Sequence, residues 1–293
     1  KLKKALCSTG AYECIHYSFF SPADFDLLKL PEDAPERTAI EILNPINKDL
    51  SLMRTTLASS MLNAISRNEK KGILSGRLFE VAKVFVPKAL PLTEYPEEKQ
   101  TLCVGIFGDN ESFYTMKSIA NTIAVSLNVK FDYAMSQKTY LHPYQTVTVF
   151  CDGEEIGYFG TVAYDIQNEL SMRTAAYVME LDLDKLSKWY DNKHVFTPLS
   201  KFDEEKRDLA FLMDKQVTFG QVEESIRKAN KYIKEVKLFD VYEGDRIPEG
   251  KKSMAFTVTF APREEAFAAD QIQKFVDKIC KVLKNDLEVE LRA

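Results

Sequence analysis

The sequence predicts an α+β protein of two modules, a large and mainly antiparallel sheet domain followed by a smaller βαββαβ unit. Three observations lead there. Strand-like runs alternate with single helical segments through the longer N-terminal part of the 293 residues, and the C-terminal part runs strand, helix, strand, strand, helix, strand. Between them Asp191-Asn192-Lys193 and Pro198 interrupt the pattern, making a linker of Trp189 to Phe202. The expected domains are therefore residues 1–195 and 196–293.

In the first module, residues 11 to 19 alternate as a strand does. Ser21-Pro22 then marks a helix start, with Ser21 as N-cap and Pro22 at the first helical position. Ala39 to Leu43 is strand-like and ends at Asn44-Pro45. Leu57, Met61, Leu62 and Ile65 fall at helical spacing, which predicts an amphipathic helix from Leu52 to Asn68. Gly76 to Val86 is apolar enough for a strand inside a sheet. Beyond a polar loop from Pro87 to Lys99 come a strand (Leu102 to Phe107) and a helix (Phe113 to Leu127). Asp152-Gly153 is a strong hairpin turn signal joining Thr146–Cys151 to Glu155–Phe159, and Tyr177 to Leu183 is a further strand.

The second module reads more regularly. Asp208 to Met213 is a strand, and Thr218 caps a helix reaching Asn230. Ile233 to Tyr242 and Ser253 to Phe260 are strands separated by the turn-rich loop Gly244 to Gly250. Asp270 to Lys284 carries Ile272, Val276, Ile279 and Leu283 on one helical face, and Asp286 to Arg292 is the last strand. In the third strand Met254, Phe256, Val258 and Phe260 belong against the helices. Ser253, Ala255, Thr257 and Thr259 then face outward, on a sheet surface that two helices on one side leave uncovered.

Composition narrows the function. A net charge of -5 excludes a uniformly basic nucleic-acid coat but not one local RNA-binding face. Five scattered cysteines, with no CxxC pair and only three histidines, give no zinc spacing and are expected as thiols in a reducing cytosol. No apolar run reaches the ~20 residues of a membrane helix. The opening Lys1-Leu2-Lys3-Lys4 reads as a cut within a longer chain. There is no Walker loop and no GxGxxG cradle. His142 before Pro143 is a loop histidine, and His16 is a hydrogen-bonded core histidine.

Four stretches, in this order, resemble the β subunit of bacterial phenylalanyl-tRNA synthetase. They are Asn44-Pro45 with Leu52-Met53-Arg54-Thr55-Thr56-Leu57; Leu78 to Phe85; His142-Pro143 with Ile156-Gly157-Tyr158-Phe159-Gly160; and the set in the C-terminal part. That set comprises Pro198 to Phe202, Arg207-Asp208-Leu209-Ala210, Leu238-Phe239-Asp240-Val241-Tyr242-Glu243-Gly244 and Glu249 to Ser253. The chain departs from the pattern at Tyr144-Gln145-Thr146 and at Ala266 to Ala269.

The resemblance implies a catalytic-like domain of class II synthetase fold that has lost its chemistry, then a ferredoxin-like anticodon-binding domain. It implies an α subunit and tRNA(Phe) as partners, in an (αβ)₂ heterotetramer in the cytoplasm with no membrane contact. No cofactor is expected on this chain, with ATP and Mg²⁺ on the α subunit. The residues agree, since Arg77 and Glu80 only imitate part of an ATP-holding strand and read as a solvated or interfacial pair. No glycine-rich third motif follows in this glycine-poor chain.

On the open sheet face Asp240 stands in a strand among Leu238, Phe239, Val241 and Tyr242, where a carboxylate can accept from guanine N1–H and N2–H, and Ser253 is placed to complete that contact. By resemblance both positions match residues used on the first anticodon base. Lys251, Lys252 and Arg207 are the phosphate candidates. The rival readings are a stand-alone degenerate class II enzyme and a ferredoxin-like protein that binds a small regulatory molecule. A generic RRM-type binder is disfavoured, because Ala255 and Thr257 stand where stacking rings are needed.

Overall fold

A computed structural model describes residues 1–190, 196, 201–245, 247–263, 265–268 and 270–291. The linker residues Asp191-Asn192-Lys193 and Pro198 lie outside that set. The chain divides into two compact units, Lys1–His194 and Val195–Ala293.

The first unit carries, in chain order, α1 (Leu2–Ser8), β1 (Tyr12–Glu13), β2 (Phe19–Phe20), α2 (Ala23–Leu27), β3 (Leu52–Met53) and α3 (Ala58–Lys70). They are followed by β4 (Gly76–Val86), β5 (Glu97–Phe107), α4 (Phe113–Leu127), β6 (Phe131–Met135), β7 (Leu141–Cys151), β8 (Glu154–Val162), α5 (Tyr164–Glu169), β9 (Ala176–Asp182) and α6 (Leu183–Trp189). Seven strands form one sheet in the order β1-β4-β5-β9-β8-β7-β6. Only the short β1–β4 pair is parallel.

The sheet is covered on both faces. Leu6 of α1 and Ile119 and Ile123 of α4 pack with Phe79, Val104 and Phe159 on one side. Met61, Leu62 and Ile65 of α3 pack with Cys103, Phe107 and Val178 on the other. This double cover is why β5 is buried without alternation from Thr101 to Phe107. The Asp152-Gly153 turn has positive φ at both residues (50° and 80°), as a type I′ hairpin demands. Gly157 has φ +154°, and a Cβ there would stand 2.0 Å from the Glu180 carbonyl oxygen of the neighbouring strand. Only glycine fits that approach, which gives the Ile156-Gly157-Tyr158 motif a packing reason.

Three expectations fail in this unit, the first being the strand over residues 11 to 19, of which Tyr12–Glu13 and Phe19 alone are in strands. The helix expected from Leu52 begins at Ala58 instead, because Leu52–Met53 pair with Phe19–Phe20 and the Arg54 amide donates to the Ser18 carbonyl. Ala39 to Leu43 forms no full strand; a single bridge joins Glu41 to Leu52. Among the cysteines Cys103 and Cys151 are buried, whereas Cys7 is exposed.

The second unit comprises β10 (Glu205–Asp214), α7 (Phe219–Ala229), β11 (Ile233–Tyr242), β12 (Lys251–Phe260), α8 (Gln271–Leu287) and β13 (Glu290–Leu291). Its antiparallel sheet runs β11-β12-β10-β13, the order of a ferredoxin-like βαββαβ unit. The reciprocal box of Thr218 with Gln221 starts α7. Val222 and Ile226 of α7 and Ile272 and Ile279 of α8 share one core with Phe211, Phe256 and Val258. Both helices thus lie on one sheet face, and among the described residues of the unit no helix packs on the other.

Candidate nucleic-acid interface

Which side chains reach the helix-free face of the second unit follows from strand register. On β12, Met254, Phe256, Val258 and Phe260 are buried toward the helices, so Ser253, Ala255, Thr257 and Thr259 point the other way. On β10 the partners of that outward set are Leu212, Ala210, Asp208 and Lys206. On β11 they are Tyr242, Asp240, Lys237 and Glu235. The face is therefore built of four cross-strand rows.

Asp240 reaches this face only because β11 is irregular. Val236 and Leu238 lie opposite Val258 and Phe256 on the helix side, and strict alternation would send Asp240 there too. A register shift between Leu238 and Asp240 inserts one extra residue, so that Phe239 and Asp240 together oppose Ala255. The bulge resets the phase. It leaves Asp240 exposed and Phe239 56% exposed on the edge strand of the sheet. Among the described residues no lysine or arginine pairs with Asp240.

Other sequence-predicted contacts are placed less favourably. Ser253 lies one row from Asp240, between the larger Tyr242 and Leu212, and is only 4% exposed, so it forms floor rather than a raised contact. Lys252 has helix-side register opposite Met213, and its Nζ donates to the Lys215 carbonyl at 2.7 Å. Burial pushes its ammonium pKa down. Lys251 stands 3.5 Å from Asp214, its partner in the ladder. Arg207, also in helix-side register, donates to Glu205 at 3.0 Å and to the Lys206 carbonyl. By contrast Lys206 and Lys237 share the face of Asp240, and no ion pair among the described residues engages either. Sequence reasoning missed these two and Phe239; the outward alternation of Ser253 to Thr259, combined with strand pairing, is the signal that finds the lysines.

In the first unit the polar groups that resemble catalytic ones are engaged with one another or with backbone. Arg77 donates to both carboxylate oxygens of Glu111, at 2.7 and 3.2 Å, and to the Thr9 carbonyl. Glu80, 2% exposed, accepts from Arg54 at 3.1 Å and from the His16 amide at 3.2 Å, with His16 Nδ1 at 2.6 Å. Arg77 and Glu80 are thus not a solvated pair but members of two separate clusters. His142 lies within β7, and its Nδ1 accepts from the Tyr144 amide. A cleft of about 310 Å³ on this unit has Tyr158 and Glu180 in its wall. Glu180 accepts from Thr56, the Leu57 amide and Tyr158, which in turn bonds Tyr140. Neither Arg77 nor Glu80 is free to hold a nucleotide. Among the described residues no group of three or more His, Cys, Asp or Glu side chains is arranged to hold a metal, and no helix is long and apolar enough to cross a membrane.

Comparison with known proteins gives two family matches. Residues 1–183 match the phenylalanyl tRNA synthetase beta chain CLM domain, and residues 200–292 match the ferredoxin-fold anticodon binding domain. The phenylalanine–tRNA ligase beta subunit of Clostridium tetani is 36% identical over 100% of this chain and 37% of its own length. That of Clostridium acetobutylicum is 32% identical over 98% of this chain and 36% of its own length. The chain thus spans little more than a third of the curated relatives it matches. Among solved structures, pyrrolysyl-tRNA synthetase from Desulfitobacterium hafniense superimposes with a TM-score of 0.52 at 15% identity, covering 64% of this chain and 65% of that one. That likeness is one of fold, a synthetase-like mixed sheet.

Proposed function

The chain belongs to the family of phenylalanyl-tRNA synthetase β chains, and from that premise we propose that it is a non-catalytic part of phenylalanine–tRNA ligase. Its first unit scaffolds an α subunit within an (αβ)₂ assembly in the cytoplasm, and its second unit binds the anticodon of tRNA(Phe). ATP-dependent aminoacylation, with ATP and Mg²⁺, then belongs to the α subunit. Internal pairing of Arg77 and Glu80 supports that division of labour.

One observation carries the RNA reading: the bulge that turns the exposed carboxylate of Asp240, without an ion pair among the described residues, onto the helix-free face beside exposed Phe239. A carboxylate there accepts from the N1–H and N2–H of an unstacked guanine, while an aromatic ring gives a base a stacking surface. Ser253 serves as floor beneath that contact. Lys206 and Lys237 supply phosphate neutralisation. Of the other basic residues, Lys251 and Arg207 meet phosphate only by giving up Asp214 and Glu205.

Asp240→Ala is expected to weaken anticodon stem-loop binding by ~1–3 kcal/mol with an unchanged melting curve, because the side chain is exposed. Titration of the labelled stem-loop against both proteins checks it, and equal affinities reject the assignment. Lys237→Ala is expected to weaken binding to all loop sequences alike. It should reduce the salt slope of log K by ~0.7, as for one single-strand phosphate contact, whereas Lys252→Ala leaves that slope unchanged.

A further inference from the structure

We infer that Asp208 and Thr257 form a second base-reading position on the same sheet face, one that takes a base carrying an amino group and rejects uracil. The inference rests on the reading of that face as an RNA surface and adds a specificity to it. Asp208 and Thr257 are directly opposite in the β10–β12 ladder, and the Thr257 hydroxyl donates to Asp208 Oδ1 at 2.6 Å. Asp208 is exposed, and among the described residues no lysine or arginine forms an ion pair with it. It is an oriented carboxylate with its bonding capacity largely unspent.

The hydrogen bond settles what the pair can recognise. Thr257 has one hydroxyl proton, and Asp208 takes it, so the pair presents acceptors only. Adenine, cytosine and guanine each offer an amino group to such a surface. Uracil offers a single N3–H between two carbonyls, which would face the carboxylate unpaired and repelled. A site that accepts from an exocyclic amino group discriminates against a partner that presents a carbonyl oxygen in its place.

Position supports a separate base rather than a second contact to the first. Asp240 sits opposite Ala255, and Ala255 sits opposite Ala210, so two methyl groups separate Asp240 from Asp208. From strand and residue spacing the two carboxylate-bearing Cα atoms are on the order of 12 Å apart, in adjacent rows of the face and two strands apart. Ala255 and Ala210, small and partly exposed, lie between the two carboxylates. Lys237 and Lys206 flank the Asp208–Thr257 pair on this face, where backbone phosphates of the same strand would pass.

The test uses the whole chain and a set of stem-loops in which each amino-bearing loop base is replaced in turn by uridine. At one position other than that read by Asp240, uridine should cost wild-type protein roughly tenfold in affinity. Asp208→Asn, whose amide can donate to a uracil carbonyl, should cut that cost to under about threefold and leave the other positions as they were. Thr257→Val, close in shape, should weaken the amino-bearing loop with an unchanged melting curve. An Asp208→Asn profile superimposable on wild type, with Asp240→Ala still losing its own contact, overturns this inference and leaves the RNA reading of the face intact. If Asp240→Ala and Asp208→Asn are both without effect on any loop, the reading of the face falls and this inference with it.

Discussion

Replacing Glu80 with alanine is expected to destabilise the first unit by about 3–5 kcal/mol, the cost of leaving a buried charge without its partner. Arg54 is 3% exposed and is held by Glu80, the Lys83 carbonyl and the Tyr17 carbonyl. Without the carboxylate its guanidinium stays buried with only neutral acceptors. A surface pair such as Lys88–Glu94 is worth at most about 1 kcal/mol by comparison. Trp189 is the only tryptophan and packs against the first-unit core, so its emission in a urea titration reports this unit. Glu80→Leu combined with Arg54→Met should recover most of the loss, since a matched apolar pair removes the orphaned charge. A cost below ~1 kcal/mol for Glu80→Ala would mean that the pair is solvated after all.

The same cluster sets an acid dependence. Burial pushes the Glu80 carboxyl up, but His16 hydrogen bonds and the Arg54 charge together outweigh it, so the group titrates below the usual carboxylate range. Its contribution is present above the unfolded carboxylate pKa and is lost as pH falls through the lower folded value. Glu180 behaves oppositely. Burial raises its carboxyl against the bonds from Tyr158, Leu57 and Thr56. What it contributes is complete below the unfolded pKa and is lost as pH rises through the raised folded value. At neutral pH Glu180→Gln should therefore cost less than Glu80→Gln.

How much of this could be read from sequence depended on how local the determinant was. The helices of the second unit were legible because Thr218 marks the start of one and Ile272, Val276, Ile279 and Leu283 share a helical face in the other, and each signal acts through its own segment. The Leu52 helix overran by six residues because its first part also satisfies that period. What overrides it is pairing with Phe19–Phe20, more than thirty residues earlier. The same holds at the candidate site. Lys252 looks like a phosphate contact until the Lys215 carbonyl is known to lie beside it. The outward phase of Asp240 is not visible in the alternation of Val236 and Leu238, because a bulge is a property of two paired strands rather than of one. Glu80 was misread as a partner of Arg77 for a similar reason, since Arg54 and His16 reach it from distant parts of the chain.

The second large effect should come from the helix-covered side of the sheet, opposite the proposed RNA surface. Phe256→Ala is expected to cost the second unit about 3–5 kcal/mol, the range for truncating a buried phenylalanine. Phe256 is fully buried, stacks on Phe211 at 5.7 Å with rings 4° apart, and lies opposite Leu209 and Leu238 in the ladder. Its chain neighbours Ala255 and Thr257 point to the other face, so the packing of this ring holds the central strand's pleat in the phase that presents the reading residues. Stem-loop binding should accordingly fall with the folded fraction of the second unit, whereas Asp240→Ala loses affinity at unchanged stability. Urea titrations followed in parallel by far-UV circular dichroism and by stem-loop binding separate the two behaviours. If Phe256→Ala removed part of the dichroism transition and binding stayed at the wild-type level, the RNA contact would lie outside this sheet.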